Sequence, residues 1–283
     1  MTNPKHLSGK IEDAPLGKIS QNPEQYSPQL LFPIARSTNR ALLAYGQTMP
    51  FMGVDIWNAY ELSWLGQRGK PEVAIAQFEI PCDSPNLVES KSLKLYLNSL
   101  NHSKFDNVES VQQTITQDLS LAVGRPVRVQ LFFPSDWSKL SFEQMPGLNL
   151  DRLDIDIDPD GQPNSELLSA TFSLAPIEQT LYSHLLRSNC PVTAQPDWAS
   201  IYIDYVGAPI NEEGLLKYLI AFRNHQEFHE HCVEKIFCDI KMRCKPAKLS
   251  VYARYTRRGG LDINPFRTDS NPHPPKNIRL ARQ

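Results

Sequence analysis

The residues best suited to do chemistry lie in the last third of the chain. Cys190 stands between Asn189 and Pro191, and Asp197, followed by Trp198, comes seven residues later. Phe228, His229 and Glu230 follow some thirty residues on. A thiol is mostly protonated at neutral pH and needs a base or a positive field to become a nucleophile. The neighbours of Cys190 are polar and turn-forming, whereas Cys232 and Cys238 lie in apolar stretches and read as structural. Taken alone, Asp197 is a turn or capping carboxylate; partly desolvated beside Trp198, it would hold a proton and act as a general acid. The set suggests covalent thiol chemistry on a nitrogen-rich ligand. Glu230 would read that ligand, since a buried carboxylate accepting two N–H donors selects a guanine-like edge.

Other segments carry two readings each. In Glu89-Ser90-Lys91-Ser92-Leu93-Lys94-Leu95-Tyr96, Glu89 lies near the positive end of a helix that Ser90 would cap; alternatively, Ser90 and Lys91 cradle an anion there. The segment Arg257–Pro265, with Gly259 and Gly260, lets the backbone approach a phosphate closely, or is a plain turn. Neither a dinucleotide fingerprint nor a P-loop is present. His225 and His229, four apart, could share a helix face and bind zinc with His231 or Cys232, but no further ligand is marked. They read equally as helix-surface histidines, or His229 handles a proton. Asp156–Gly161 imitates a calcium loop, but Leu167 stands where a bidentate glutamate is needed, so an exposed strand running into a turn is expected.

These side chains need a scaffold. A chain of 283 residues, 41% apolar and 21% charged, is expected to be globular with about two domains. No apolar run approaches the ~20 residues of a membrane span. The polar start, Met1–Lys18, predicts no secretory signal. Five irregularly spaced cysteines are then expected as thiols in the cytoplasm. A net charge of −2 argues against coating nucleic acid or an anionic membrane. Only Lys241–Arg258 is locally basic, and it reads as a phosphate-binding stretch or the solvated face of a strand pair.

The scaffold repeats itself. A strand over Glu72–Ile80, the Glu89 segment, a helix over Val108–Leu121 and Pro126 are echoed by a strand over Ser200–Val206, a Glu212 segment, a helix over Glu230–Asp239 and Pro246, offset by roughly 120 residues. Strands grouped around a helical pair argue α+β. The expected organisation is an extended arm at 1–35, a first module at 36–139, a connection at 140–178 and a second module at 179–283. A short helix over Leu181–Arg187 would lead to Cys190.

Together, the Glu89–Tyr96 signature, the Cys190-to-Asp197 spacing, Phe228-His229-Glu230 and Arg257–Pro265 resemble the 7-cyano-7-deazaguanine reductases in their long, two-module form, over almost the whole chain. The resemblance implies tandem tunnelling-fold (T-fold) modules with one active site per chain. It implies a four-electron reduction of the nitrile of 7-cyano-7-deazaguanine to a primary amine by two NADPH, on the way to the tRNA base queuosine, without a metal. In that family pattern Cys190 forms a thioimide with the nitrile carbon, Asp197 protonates the nitrogen and His229 handles a later proton. Glu89 and Glu230 hold the base edge, Phe228 stacks on it, and Val88 and Ser90 add backbone contacts. Ser90, Lys91, Arg258 and Gly259 meet NADPH. The implied partners are these two small molecules and a second copy of the chain, with no direct nucleic acid or membrane. Rival readings are a zinc-dependent pterin cyclohydrolase of the same fold, using His225, His229 and Cys232, and a non-catalytic purine-binding protein.

Overall fold

Alternation with period two and capped helices with period near 3.6 each recur twice along the chain, and each set builds its own unit. A computed structural model describes residues 13, 23, 25–43, 45, 48–271 and 273–283. Most of the arm expected over 1–35 lies outside the described residues.

The first unit comprises residues 57–139 and 258–261 with the described part of 1–38. It holds β1 (Pro33–Ala35), the start of α1 (Arg36–Arg40), β2 (Met52–Leu65) from Trp57 onward, β3 (Pro71–Pro81), β4 (Asn86–Val88), α2 (Ser90–Ser99), α3 (Val108–Val123) and β5 (Arg128–Phe132). The larger sheet runs β5-β3-β2, with Ile75 opposite Phe132 and Glu79 opposite Arg128; β1 pairs antiparallel with β4. Ala74, Ala76, Phe78 and Ile80 alternate inward along β3. Val111, Ile115, Leu119 and Val123, four apart, form the buried face of α3. That helix starts at an Asn107–Ser110 capping box and stops at Gly124, which takes the left-handed conformation at φ 76°.

The second unit comprises residues 39–56, 140–257 and 262–283. Its strands are β6 (Leu148–Asn149), β7 (Ile177–Ser183), β8 (Arg187–Asn189), β9 (Pro196–Gly207), β10 (Lys248–Tyr255) and β11 (Leu261–Thr268), and its helices α4 (Glu212–Ala221) and α5 (His229–Cys244). The sheet order is β11-β10-β9-β7-β6, antiparallel except for β6 on β7, and β8 pairs with the start of β9. Ala199, Ile201, Ile203 and Tyr205 face inward from β9 against Leu215, Leu219, Val233, Ile236, Phe237 and Ile240 of the helices.

The internal echo extends to element lengths. Both α2 and α4 have ten residues, and both α3 and α5 have sixteen. Both long helices end on a left-handed residue, Gly124 and Lys245.

Three expectations need correction. Leu181–Arg187 is not a helix: β7 continues to Ser183 and β8 begins at Arg187, because Leu181 and Ser183 pair with Ile203 and Ile201 of β9, and that ladder overrides local spacing. Residues 153–158 form no strand; Asp158 accepts from the Asp160 amide in a tight turn. The basic stretch from Lys241 is not a solvated strand face. It begins in the last turn of α5, where Lys241 pairs with Asp269 at 2.6 Å and Arg243 with Glu166 at 2.8 Å, and Arg254 is buried on the Tyr252 hydroxyl, Asn277 and Gln283.

Candidate functional site

The predicted residues fall into two groups, one in each unit. In the second unit, β8 delivers Cys190. The Cys190 amide donates to the Gln195 carbonyl at 2.9 Å, and the Ala194 amide donates back to the Cys190 carbonyl at 3.0 Å. These two bonds close the loop Cys190–Gln195, with Ala194 held at φ 55°. Across the β8–β9 ladder, Ser188 faces Asp197 and Asn189 faces Pro196. The thiol-bearing residue and the carboxylate therefore share the end of one two-stranded ladder. Cys190 and Asp197 are each 5% exposed.

Asn189 fastens this ladder to the start of α5. Its amide donates to the His225 carbonyl at 2.9 Å, its side chain donates to the Arg223 carbonyl at 2.8 Å, and its own carbonyl accepts from Glu227. The chain then turns through Phe228, which caps α5 without a side-chain bond, into His229 and Glu230. His229 Nε2 lies 3.3 Å from Asp197 Oδ2. That geometry makes Nε2 the atom turned to the carboxylate, while Nδ1 is buried with no hydrogen-bond partner. Glu230 is buried in the first turn of α5, where the helix's positive end favours a carboxylate. Phe228 is half-buried and leans on His231 at 6.1 Å. Beyond Asp197, the Trp198 ring is faced by the guanidinium groups of Arg187 and Arg223 at 5.4 and 5.6 Å.

The zinc arrangement is not built. His225 follows a 3-10 turn ahead of α5, so it shares no helix with His229. Burial holds His225 below the ordinary imidazole range. His231 Nδ1 is taken up with Asn39 at 2.9 Å and Glu227 at 3.4 Å. Among the described residues, no group of three or more His, Cys, Asp or Glu side chains is placed to hold a metal ion.

In the first unit, Val88 ends β4 opposite Pro33, and the Glu89 amide donates to the Phe32 carbonyl. The cap expected at Ser90 falls instead on Glu89. Its carboxylate accepts from the Lys91 amide at 2.7 Å and the Ser92 amide at 2.8 Å, satisfying two donors that the helix cannot. Burial pushes the Glu89 carboxyl above its usual range, against the pull of those bonds. A carboxylate offers about four acceptor positions. The cap therefore fixes the Glu89 side chain while leaving capacity on Oε2 for a ligand donor.

Arg258–Leu261 forms the tip of the β10–β11 hairpin. The Arg258 and Leu261 amides and carbonyls bond each other, and Gly259 and Gly260 both take positive φ, as a two-residue hairpin turn of this hand requires. A Cβ on Gly259 would sit 2.8 Å from Lys94 Nζ. Lys94 lies one turn along α2 from Ser90 and Lys91, so the hairpin tip meets the first turns of that helix. Exposed Arg258 and half-buried Lys91 and Lys94 supply cations, and the glycines the close backbone approach, that a dinucleotide phosphate needs.

Motif reading gave no role to Tyr255, which stacks on His229, or to Ser188, which lies opposite Asp197; both are fully buried. Their only sequence signal is strand alternation, which marks them as inward-facing and nothing more.

Two family models match the chain. One, described as nitrile reductase, 7-cyano-7-deazaguanine-reductase N-term, covers residues 22–131; the other, described as QueF-like protein, covers residues 196–274. The NADPH-dependent 7-cyano-7-deazaguanine reductases of Paraburkholderia phymatum and Burkholderia vietnamiensis are 57% and 58% identical over 272 residues, spanning 96% of this chain and 99% of theirs. The enzyme of that name from Cupriavidus pinatubonensis is 58% identical over 274 residues with the same coverage.

Proposed function

The chain belongs to the NADPH-dependent 7-cyano-7-deazaguanine reductase family, and from that membership we propose that it reduces the nitrile of 7-cyano-7-deazaguanine to the aminomethyl group, in queuosine biosynthesis, through a covalent thioimide on Cys190. One observation carries the assignment of roles: Asp197 sits at the mouth of the closed Cys190 loop with His229 Nε2 3.3 Å from its carboxylate.

Cys190 attacks the nitrile carbon, one C–N π bond opens, and the proton goes to nitrogen from Asp197. This turns an inert triple bond into a C=N that accepts a hydride. NADPH supplies the hydrides, one for each two-electron step. Cys190 leaves as thiolate after the first, and His229 delivers a proton to the nitrogen before the second completes the amine. Glu89 and Glu230 accept N–H donors of the base, Phe228 stacks on its ring, and Val88 and Ser90 add backbone contacts. Ser90, Lys91, Arg258 and Gly259 hold the dinucleotide. Burial of Cys190 and Asp197 keeps water from the imine, which would otherwise hydrolyse. Stoichiometry tests the reaction: absorbance should record two NADPH oxidised per nitrile, and oxidation of one, or none, overturns it.

Asp197→Asn keeps the shape and loses the transferable proton. It is expected to lower kcat by about 10²–10⁴-fold with little change in KM for the nitrile. An unchanged kcat would remove Asp197 from the proton path.

The repeated order of strands, ten-residue helix and sixteen-residue helix supports reading the two units as tandem T-fold modules. We infer a homodimer in the cytoplasm, with no direct nucleic-acid partner. Light scattering should then give twice the 32.1 kDa of the chain. No helix among the described residues is long and apolar enough to cross a membrane.

A further inference from the structure

The imidazole of His229 lies flat on the phenol ring of Tyr255, with centroids 3.7 Å apart and planes 2° from parallel. Aromatic pairs left to themselves settle offset or edge-on at about 4.5–7 Å. A face contact this close is therefore imposed by the surroundings, and those surroundings are rigid. Tyr255 is the last residue of β10, paired with Ala199 of β9. Its amide donates to Asn264 Oδ1 at 3.1 Å, and its carbonyl accepts from Gln283 Nε2 at 2.9 Å. The side chain is completely buried. Its hydroxyl makes no well-formed hydrogen bond but interacts with Ser188 and Cys232. Ser188 is the residue opposite Asp197 in the β8–β9 ladder, and Cys232 lies one turn past His229 on α5. One phenol thus touches the imidazole by its face, and by its hydroxyl meets the strand that faces Asp197 and the helix that carries His229. Burial pushes that phenol far above its ordinary range, so it stays neutral.

We propose that Tyr255 is a positioning residue for the reduction: its ring face fixes the plane of His229, holding Nε2 on Asp197 and leaving the buried, unpartnered Nδ1 as the atom that exchanges a proton with the ligand. The inference rests on the reductase reading and on His229 as its proton carrier. A tilt of the ring would carry both nitrogens off their targets together, and displacements of about 1 Å at such a group cost on the order of 10²-fold in rate.

The experiment compares Tyr255→Phe and Tyr255→Leu with wild type, following NADPH oxidation with 7-cyano-7-deazaguanine. The Cys190 adduct is followed separately by absorbance without NADPH. Tyr255→Phe keeps the ring and is expected to hold kcat within about threefold, while Tyr255→Leu loses the flat face and is expected to lower kcat on the order of 10²-fold. KM for the nitrile and formation of the adduct should be unchanged in both. Equal kcat in the two variants, or a KM that rises as kcat falls, overturns the platform. Should Tyr255→Leu fail to fold by circular dichroism, Tyr255→Met fills much of the volume without a flat face, and the same kcat loss is expected. A wild-type protein that oxidises no NADPH would sink the reductase reading itself. An active wild type with an equally active Tyr255→Leu sinks only the platform.

Discussion

Cys190→Ala is expected to lower nitrile-dependent NADPH oxidation by at least about 10⁴-fold, the scale on which losing a covalent nucleophile is felt. The structure makes this a clean test. The loop Cys190–Gln195 is closed by two main-chain hydrogen bonds, which alanine keeps. Asn189, not Cys190, carries the bonds to the loop ahead of α5. The substitution therefore removes a sulfur atom and little else, and the folded state should lose only the modest packing of one buried thiol. The affinity for 7-cyano-7-deazaguanine, measured by calorimetry, should fall only by the share that the covalent bond supplies, since the substitution leaves the proposed base contacts in place. Asp197 and His229 stay 3.3 Å apart, so any residual rate reports their work without the thioimide. Retained turnover would mean that hydride reaches the nitrile directly, and the covalent route would be wrong.

What could be read ahead of the structure is what short stretches of chain decide. Cys190 and Asp197 are seven residues apart, and a closed turn joins them. The helix carrying His229 and Glu230 shows its period, although it starts one residue earlier and runs five residues longer than the expected Glu230–Asp239. The hairpin tip is written in two adjacent glycines. Where partners came from elsewhere, spacing misled or was silent. A helix is expected over Leu181–Arg187, but a ladder to Ile203 and Ile201 carries β7 on to Ser183, and β8 begins at Arg187. Arg254 looks like one more cation in a basic run, yet it is buried on Tyr252, Asn277 and Gln283, two of which come from the C-terminal tail. The stack of Tyr255 on His229 depends on where β10 ends relative to α5, a matter of strand register that no local pattern records. Glu89 shows a mixed case: its place at a helix start was legible, but its carboxylate turns out to serve as the cap, which orients it before any ligand arrives.

Glu234→Gln is expected to destabilise the second unit by about 3–5 kcal/mol at neutral pH, the usual cost of breaking a buried ion network by removing one partner. The carboxylate lies one turn past Glu230 on α5 and is fully buried. It meets Arg40 at 2.6 Å and Arg267 at 2.8 Å, and Arg267 in turn meets Asp55 at 2.8 Å. Two carboxylates thus balance two guanidinium groups, and the amide leaves Arg267, which is shielded from water, with Asp55 as its remaining anion. Burial alone would raise the Glu234 carboxyl, but Arg267 and Arg40 overcome it and hold it well below the usual carboxylate range. An acid depressed in the folded state stabilises the fold above its unfolded value, and that contribution drains as pH falls towards the folded value. Below about pH 4.5 this one group should cost wild type about 1.4 kcal/mol per pH unit, and Glu234→Gln lacks that slope. Urea unfolding followed by circular dichroism across pH 3–7 should show the two proteins converging as the pH drops. A gap that stays constant with pH would mean that the loss comes from packing, not charge. Because Glu234 lies one turn past Glu230, the network also anchors the end of α5 that carries His229 and Glu230. Convergence in stability at low pH should therefore be matched at neutral pH by a variant whose activity is lost at lower temperature than that of wild type.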